Sequence, residues 1–469
     1  MSAPRGPAPR KLVLIVIDGL APSLLERAIE SGAAPTLALL RARDGGRLGT
    51  SVFPSLTPVC LSAIATGLGP GGSNIPHMQW FHRGEGRFVE YGSSFMATLQ
   101  TGTRQAVDDS MVNLNQLHLS RSARTLFELV EDQGKIAACV NFYVWRGRVR
   151  HEFKHRWLTR LARRTGFFDA TYGPTQLYFG DLFESEPTGA PRNLGVTGKN
   201  DDHAGGVARW LVSQDAFDFM LFYLPETDFA SHRSGPEGAL EAVATADRNV
   251  ALMMSGCGGP EAFLERYSVI FTADHGQSAI TQADDVREAF TDLSPFRSAQ
   301  RTPVATSRIA VSASNRAAHV TRLDASVPLS EIAARLSARA SVDVVAWRKE
   351  GTAIVDHPGG RMRFTPQMSE GTPIDEETFP NARERLWSVL SCVNSGEVVA
   401  SATPGFEFAD AGGQDHVGGG SHGSLHVCDS LVPIGSIAVA DGTLPLRAIT
   451  DIAPLVARHF GAQANPRET

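Results

Sequence analysis

The chain has few cysteines and no apolar run long enough to cross a membrane. Its five cysteines, at positions 60, 139, 257, 392 and 428 of 469, fit neither a disulfide framework nor a cysteine metal site. We expect reduced thiols in a cytoplasmic protein. The early run LVLIVI, over residues 12–17, follows basic residues but is too short for a signal-peptide core or a membrane span.

Neither sign of charge is in large excess. The chain has 44 Lys and Arg against 50 Asp and Glu, which gives a net charge of −6. This balance argues against the strongly basic surface that binds nucleic acid or an anionic membrane. We therefore expect neither a nucleic-acid polymer nor a membrane as a partner, and the composition leaves the oligomeric state open.

The sequence does contain a repeated alternation of short apolar runs with helical patterns. The runs KLVLIVIDGL, FDFMLFYLPETD and YSVIFTADHG show it most clearly. The alternation predicts an α/β fold, a three-layer sandwich with a mainly parallel central sheet and helices on both faces. Ligands bind such sheets outside the carboxyl ends of the strands.

The pattern divides the chain into three parts. Residues 1–10, rich in proline and arginine, are predicted to be a disordered tail. Residues 11–295 and 380–469 are predicted to form the α/β core. Between them, residues 300–375 show a β-α-β-β pattern of their own, which predicts a small inserted α+β cap domain.

Polar side chains follow four of the predicted strands. They are Asp18, Thr57, Asp228 and the pair Asp274 and His275. One such residue after a strand is ordinary turn chemistry. Several that meet at one sheet edge are better explained by a metal site, because gathered anionic oxygens would repel each other without a cation.

Two further patterns add imidazoles to these carboxylates. Asp228 and His232 are four residues apart, so a helical turn would place both on one face; the alternative is a surface Asp–His pair. His422 lies in GGSHGS, where small neighbours let a ligand approach closely. Its alternative is a histidine in a flexible glycine-rich loop, AGGQDHVGGGSHG.

Thr57 has two interpretations from its local sequence. Because Pro58 follows it, Thr57 is typical of an N-cap, with Pro58 as the first helical residue. The other interpretation is chemical, since a hydroxyl at the start of a helix lies where phosphate oxygens bind. The local sequence favours the cap.

Five segments, in this order, resemble the alkaline phosphatase superfamily and its nucleotide pyrophosphatase/phosphodiesterase branch. They are VIDGL, FPSLTPVCLSAIATG, PETDFASHRSGP, TADHGQ and GGSHG. The resemblance covers roughly residues 10–280 and 385–440. It implies an alkaline phosphatase-like fold and an enzyme, a hydrolase acting on phosphoric ester or phosphoanhydride bonds.

The resemblance also implies two divalent metal ions, zinc as a rule with manganese possible. The ligands of one ion would be Asp18, Thr57, Asp274 and His275. The ligands of the other would be Asp228, His232 and His422. Thr57 then becomes the nucleophile, because metal coordination activates a hydroxyl, and it would form a covalent phospho-enzyme that water hydrolyses.

One stretch departs from the pattern of that branch. In GLGPGGSNIPHMQW, Met78 stands where an asparagine holds a phosphate oxygen, and Asn74 or His77 is predicted to replace it. A second stretch, NFYVWRG, resembles the aromatic wall of the substrate pocket. Its candidates for substrate binding are Phe142, Tyr143 and Trp145, and core packing of these aromatic residues is the alternative.

We expect a small-molecule phosphorylated substrate, with diesters preferred over monoesters. The residues after Thr57 supply no cation for a dianion, and the aromatic wall suits a second ester group. Arg83, Arg146 or Arg148 would oppose that preference by reaching the pocket. The alternatives are a phosphonate hydrolase or phosphomonoesterase on the same fold, an isomerase of the phosphoglycerate mutase type, and a non-catalytic binder of a phosphorylated ligand.

Overall fold

The structure is a computed structural model that describes residues 9–152, 170–180, 182–191, 200–298, 303–413, 415–439 and 446–467. The predicted N-terminal tail falls mostly on residues 1–8, which lie outside the described residues. Arg10 is already held, because its main-chain oxygen lies 2.7 Å from His459 Nε2. Within the described part of the chain, no helix has the length and apolar character needed to cross a membrane.

An eight-stranded sheet forms the centre of the larger unit. From one edge to the other its strands are Arg47–Thr50, Leu431–Ile437, Tyr267–Thr272, Lys11–Ile17, Phe219–Leu224, Ala137–Val140, Gln176–Phe179 and Phe183–Glu184. The middle strands pair in parallel. Antiparallel pairs lie toward both edges. The prediction of an α/β fold with a mainly parallel sheet is confirmed.

The three adjacent central strands are buried along their length. Every residue of Phe219–Leu224 and of Tyr267–Thr272 is buried, and Lys11–Ile17 is buried after its first residue. Parallel strands covered on both faces are continuous apolar runs, which is why these segments show no alternation. Their carboxyl ends meet at one edge of the sheet, where the polar residues follow.

Helices pack against this sheet in two groups. The first group is Pro22–Glu30, Pro35–Asp44, Asp201–Ser213, Leu240–Ser255 and Pro260–Arg266. The second group is Thr57–Thr66, Leu126–Glu131 and Ile452–His459. Both groups bury side chains in the same apolar core as the strands.

A second sheet of seven antiparallel strands forms the smaller unit. In order its strands are Ile309–Ser314, Ala317–Arg322, Val398–Ala402, Val342–Lys349, Thr352–His357, Gly360–Phe364 and Ser369–Gly371. The helix Leu329–Ser337 packs on one side of it, and Ala382–Ser391 packs on the other. The inserted segment therefore folds as an α+β unit.

The smaller unit ends later in the chain than we expected. We placed the return to the core at residue 380, but Ala382–Ser391 packs on the second sheet. The strand Val398–Ala402 lies between Ala317–Arg322 and Val342–Lys349, so the sheet requires it. The sequence pattern missed this because an isolated apolar run gives no sign of which sheet it joins.

Short elements complete the described chain. The remaining helices are Pro70–Ser73, Phe95–Thr101, Thr103–Asp108, Glu226–Gly238 and Val427–Ser430, with a π-helix at Asp109–His118 and 3₁₀ helices at Val286–Leu293, Val304–Thr306 and Ile449–Asp451. Four further strand pairs are Gln79–His82 with Arg87–Glu90, Val149–Glu152 with Ala170–Gly173, Ser278–Ala279 with Gly420–Ser421, and Gln282–Asp284 with Phe406–Phe408.

Candidate active site

A first cluster of polar side chains lies at the carboxyl ends of the central strands. Asp18 directly follows Lys11–Ile17, and Asp274 and His275 come just after Tyr267–Thr272. His275 Nε2 lies 3.3 Å from Asp18 Oδ1 and 3.4 Å from Asp274 Oδ2. All three side chains are buried. Two neighbouring parallel strands thus bring two carboxylates and an imidazole together.

Thr57 joins this cluster from the start of a helix. The helix Thr57–Thr66 has Leu56 as its N-cap, Thr57 as its first residue and Pro58 as its second. The interpretation of Thr57 as the N-cap is therefore wrong by one position. The Thr57 hydroxyl instead lies 3.3 Å from His275 Nε2.

A second cluster, of Asp228, His232 and His422, lies against the first. Asp228 and His232 are one turn apart in the helix Glu226–Gly238, with His232 Nε2 3.4 Å from Asp228 Oδ2. His422 Nε2 is 3.6 Å from Asp228 Oδ1. The rings of His275 and His422 stack with their centroids 3.6 Å apart, so the two clusters are in direct contact.

Main-chain carbonyl groups orient all three imidazoles in the same way. His232 Nδ1 lies 2.8 Å from the main-chain oxygen of Gly420. In the same way His275 Nδ1 lies 3.0 Å from the oxygen of Gly276, and His422 Nδ1 lies 2.7 Å from the oxygen of Ser55. A carbonyl oxygen only accepts, so in the neutral ring Nδ1 carries the proton and Nε2 keeps its lone pair. Each Nε2 lone pair then faces a carboxylate oxygen. Neither the nitrogen nor the oxygen has a proton, so no hydrogen bond can form between them.

The charges of these clusters oppose one another. Burial raises the pKa of Asp18 well above its ordinary value, and the charges of Asp274 and Asp228 raise it further. Burial likewise raises the pKa of Asp274. Burial and the neighbouring His275 hold the pKa of His422 well below its usual range, so that ring stays neutral. Asp228 and His232 behave differently: despite burial, His232 lowers the pKa of Asp228, and Asp228 raises the pKa of His232. Without a cation, the site therefore holds its carboxylates by taking up protons, on the carboxyl groups of the first cluster or on His232.

The residues present fit divalent metal ions. Among the described residues, the buried atoms Asp18 Oδ1 and Asp274 Oδ2 have no hydrogen-bond partner. Two groups of three residues each offer ligand atoms that all lie within 4.8 Å of one another: Asp18, Asp274 and His275 in one, and Asp228, His275 and His422 in the other. His275 thus belongs to both groups, and His232 of the second cluster belongs to neither. Carboxylate and imidazole ligands suit zinc, and also manganese or iron. Histidines that bind metals usually donate their other N–H to a carbonyl or carboxylate, as these do to carbonyls.

The segments that build this site lie within a match to a known family. The family model described as type I phosphodiesterase / nucleotide pyrophosphatase matches residues 12–425. The chain belongs to that family. It is therefore a phosphoryl hydrolase, and the metal dependence of the family agrees with the two groups of potential metal ligands.

Solved structures of related hydrolases share the fold of this phosphodiesterase family member. One is phosphonoacetate hydrolase from Sinorhizobium meliloti 1021 in complex with phosphonoformate, with a TM-score of 0.60 at 18% identity over 97% of this chain and 96% of that chain. Another is murine ectonucleotide pyrophosphatase / phosphodiesterase 5, with a TM-score of 0.59 at 13% identity over 98% and 97%. At these identities the likeness shows the fold alone. No curated protein gives a significant match.

Of the three aromatic residues proposed to bind substrate, only Tyr143 keeps exposed surface. Its ring packs edge-on against that of Tyr223, and the charges of Asp18 and Asp228, after burial, raise its pKa. Phe142 and Trp145 have no exposed surface and belong to the apolar core. The alternative interpretation, core packing, therefore describes these two residues better.

The two residues predicted to replace the asparagine at Met78, His77 and Asn74, are placed differently in the structure. His77 is fully buried, and its Nδ1 and Nε2 lie 2.8 and 3.2 Å from the main-chain oxygens of Gln79 and Ala317. Neither nitrogen is left for a phosphate oxygen, so the structure does not support His77 in that role. Asn74 ends the helix Pro70–Ser73 in a left-handed conformation, and its main-chain oxygen accepts a hydrogen bond from Asn394.

The three arginines that could oppose a diester preference are bound elsewhere. Arg83 pairs with Glu397 at 2.7 Å, and Arg148 pairs with Asp132. Arg146 donates to main-chain oxygens around residues 119–123 and to Glu128. None of these contacts involves the two clusters of potential metal ligands.

Sequence analysis missed several residues of the candidate site. Tyr223 donates its hydroxyl hydrogen to Asp18 Oδ2, and a polar group near the end of an apolar strand was the available signal. His416 lies in the glycine-rich segment, with Nδ1 2.8 Å from Glu407 Oε1 and its ring 4.1 Å from that of His232. Gly420 and Ser421 of this glycine-rich segment pair through their main chain with Ser278–Ala279, so the segment is not a flexible loop.

Proposed function

We propose that this family member hydrolyses phosphoric esters, preferring diesters, with Thr57 as the nucleophile and two divalent ions, natively zinc. The observation that carries the proposal is the set of three imidazoles that each turn Nε2 toward a buried carboxylate. Thr57 Oγ1 lies 3.3 Å from one of these nitrogens. Such an arrangement is unfavourable without cations and is ordinary for a metal site.

Each ion would be held by one ligand cluster. The residues holding them would be Asp18, Thr57, Asp274 and His275 for one ion, and Asp228, His232 and His422 for the other. Bound divalent ions supply positive charge for the phosphoryl oxygens and lower the pKa of a coordinated hydroxyl.

Thr57 carries the covalent chemistry in this proposal. Its deprotonated Oγ1 bonds to phosphorus while the bond from phosphorus to the leaving oxygen breaks, and that oxygen takes the electron pair. Water then attacks the phosphothreonine, and the bond to Oγ1 breaks to regenerate Thr57. The N-terminal end of Thr57–Thr66 favours the phosphoryl charge. An inactive variant of the murine relative, solved with AMP, has threonine replaced by alanine, which agrees with this role.

The surroundings of the second cluster favour a diester over a phosphonate that bears a carboxylate. A cavity of about 430 Å³ adjoins His416, and its described lining includes Glu407, Asp410 and Asp415 without any lysine or arginine. A leaving group that carries a carboxylate, such as that of phosphonoacetate, would meet like charge there. A neutral second ester group meets no such repulsion.

A substrate panel tests this proposal. We would compare kcat/KM for bis(p-nitrophenyl) phosphate, p-nitrophenyl phosphate and phosphonoacetate, with zinc and with manganese. The diester is expected to be preferred by about tenfold or more, a difference of about 1.4 kcal/mol in transition-state binding. A preference for the monoester or for phosphonoacetate would overturn the diester assignment. No turnover of any compound by metal-loaded protein would favour the non-catalytic binder.

We further propose that the protein is cytoplasmic. The five cysteines are present as thiols in the structure, which supports a reducing compartment. Cell fractionation tests the proposal, and recovery of the native protein in an extracellular or periplasmic fraction would contradict it.

A further inference from the structure

Asn315 enters the candidate site from the smaller unit. It lies at the turn between Ile309–Ser314 and Ala317–Arg322, in a left-handed conformation with φ of 54°. Only 5% of its surface is exposed, and its Nδ2 lies 3.1 Å from His422 Nε2. The inserted unit thus delivers an amide group to the second ligand cluster.

Neighbouring contacts fix the position of this turn. The N–H of Arg316 donates to the main-chain oxygen of His422 at 2.9 Å. The Arg316 guanidinium is fully buried and lies 2.7 and 2.8 Å from the two carboxylate oxygens of Asp429. A side chain held on such a turn is preorganised, because its position costs little to maintain during the reaction.

The hydrogen bonds also decide which end of the Asn315 amide faces the site. His422 donates from Nδ1 to Ser55, so its Nε2 carries a lone pair, which accepts from the Asn315 NH₂ until a metal ion takes that lone pair and releases the N–H. Ser314 donates its hydroxyl to Asn315 Oδ1 at 3.0 Å. Both contacts place the NH₂ of Asn315 toward the second cluster, and Asn315 also lines the adjoining cavity.

In the proposed in-line displacement, the attacking oxygen and the leaving oxygen lie on opposite sides of phosphorus, one at each cluster. Thr57, the attacking group, belongs to the first cluster, and a two-metal site stabilises the leaving oxygen at the other. Asn315 lies at that second cluster, and the adjoining cavity of about 430 Å³ has room for a leaving group. No other amide side chain is among the described residues lining that cavity.

From this geometry we propose that Asn315 is a catalytic residue that donates a hydrogen bond to the departing ester oxygen. The inference rests on the proposed function, because it concerns the same displacement at Thr57. The donor stabilises the negative charge that develops on the leaving oxygen. Its contribution therefore grows as the leaving group becomes more basic.

The test is the dependence of turnover on the leaving group in Asn315→Gly. Glycine keeps the left-handed turn while removing the amide. With methyl aryl phosphates of increasing phenol pKa, we expect the loss of kcat to grow from within about tenfold for p-nitrophenol to about 10²-fold for phenol. Asn315→Asp, which has the same shape but only accepts hydrogen bonds, should show the same trend. Metal content and circular dichroism should match the wild type.

Asn381→Gly is the matched control, since Asn381 is another left-handed asparagine of the smaller unit, with φ of 51°. It should keep the wild-type dependence on the leaving group. A uniform loss across the series, or no loss, would overturn the inference while leaving the proposed function intact. Loss of bound metal in Asn315→Gly would also overturn it, because Asn315 would then act through His422. No turnover by the wild type would overturn the proposed function, and this inference with it.

Discussion

At the scale of single residues, orientation matters as much as residue type. The three imidazoles of the site are fixed by main-chain carbonyl groups, which leaves Nε2 of each facing a carboxylate. Tyr223 holds Asp18 in the same manner, through its hydroxyl. Such supporting contacts set the tautomers and directions of the metal ligands. Replacing a ligand should therefore change metal binding more than it changes the fold.

Thr57→Ala should lower kcat by about 10³-fold or more, because the nucleophilic oxygen is removed. Its free energy of unfolding should change by less than about 1 kcal/mol, since Thr57 is not the capping residue. Thr57→Ser should retain part of the activity. The control is Thr66→Ala, which removes a hydroxyl from the other end of the same helix. Activity near that of the wild type in Thr57→Ala would refute the nucleophile assignment.

Combined replacement of Asp228 and His232 by alanine should remove about one of two bound metal ions per chain. Both side chains belong to the second cluster, and the first cluster keeps its own ligands. Elemental analysis after metal loading and desalting gives the number of ions. Glu237→Ala, at an exposed position of the same helix, should retain both. Full metal content in the double variant would show that the second ligand set is misassigned.

The sequence indicated the ligand candidates better than the surrounding residues. Asp18, Asp274 and His275 follow strands, so their place at the sheet edge could be expected from the chain alone. Asn315 and His416 could not, because each reaches the site by the packing of a distant segment that carries no local signal. Phe142 and Trp145 show the opposite error, since aromatic residues near a strand end serve the core as readily as a pocket.

At the scale of elements, a short hairpin supports the cavity beside the second cluster. Glu90, at the end of Arg87–Glu90, accepts hydrogen bonds from Gln79 and from the N–H groups of Gly92 and Ser93. Ser93 lines the cavity. Glu90 is fully buried, and burial raises its pKa to about 7 despite these donors. The turn beside the cavity thus depends on a carboxyl group that is costly to ionise.

Glu90→Gln should gain stability over the wild type as the pH rises from 5 to 8. The pKa of Glu90 in the folded protein lies above its ordinary value of 4.5. The contribution of Glu90 to the free energy of unfolding is therefore fully present below pH 4.5 and is lost as the pH rises through 7. The full difference is about 3 kcal/mol. Glutamine at position 90 cannot ionise, and its NH₂ can donate to the unpaired Oε1 of Gln79 once that amide turns. Urea unfolding at several pH values measures the effect, and parallel stability curves for the two proteins would contradict it.

The elements themselves differ in how well the sequence predicts them. The central strands are long apolar runs between helices, and their parallel pairing follows from that order. The strand Val398–Ala402 belongs instead to the inserted sheet. Its pairing partners on both sides are more than fifty residues away in sequence. Only the tertiary fold therefore assigns this strand to the inserted sheet. The boundary at residue 380 was missed for this reason.

At the scale of the whole molecule, the site joins the two units. The larger unit supplies Thr57 and the carboxylates at its sheet edge, and the smaller unit supplies Asn315 and the anchoring Arg316. The buried ion pair of Arg316 with Asp429 crosses from one to the other. Metal ions at this junction would bind the folded protein more tightly than the unfolded chain.

Metal removal should therefore lower the free energy of unfolding. A site occupied at a free metal concentration one hundred times its Kd contributes about 2.7 kcal/mol. Chemical denaturation of protein treated with chelator, before and after zinc is restored, measures this. The variant lacking Asp228 and His232 should regain only part of the increase. An unfolding midpoint that is the same with and without metal would contradict metal binding at the junction.

The most direct test of the central claim is the titration of metal-free protein with zinc, following hydrolysis of bis(p-nitrophenyl) phosphate. If Thr57 works between two ligand clusters, the metal-free protein should be inactive. Activity should then rise to a plateau at about two ions per chain, because each cluster holds one. Full activity in the metal-free protein, or a plateau reached at one ion per chain, would contradict the account.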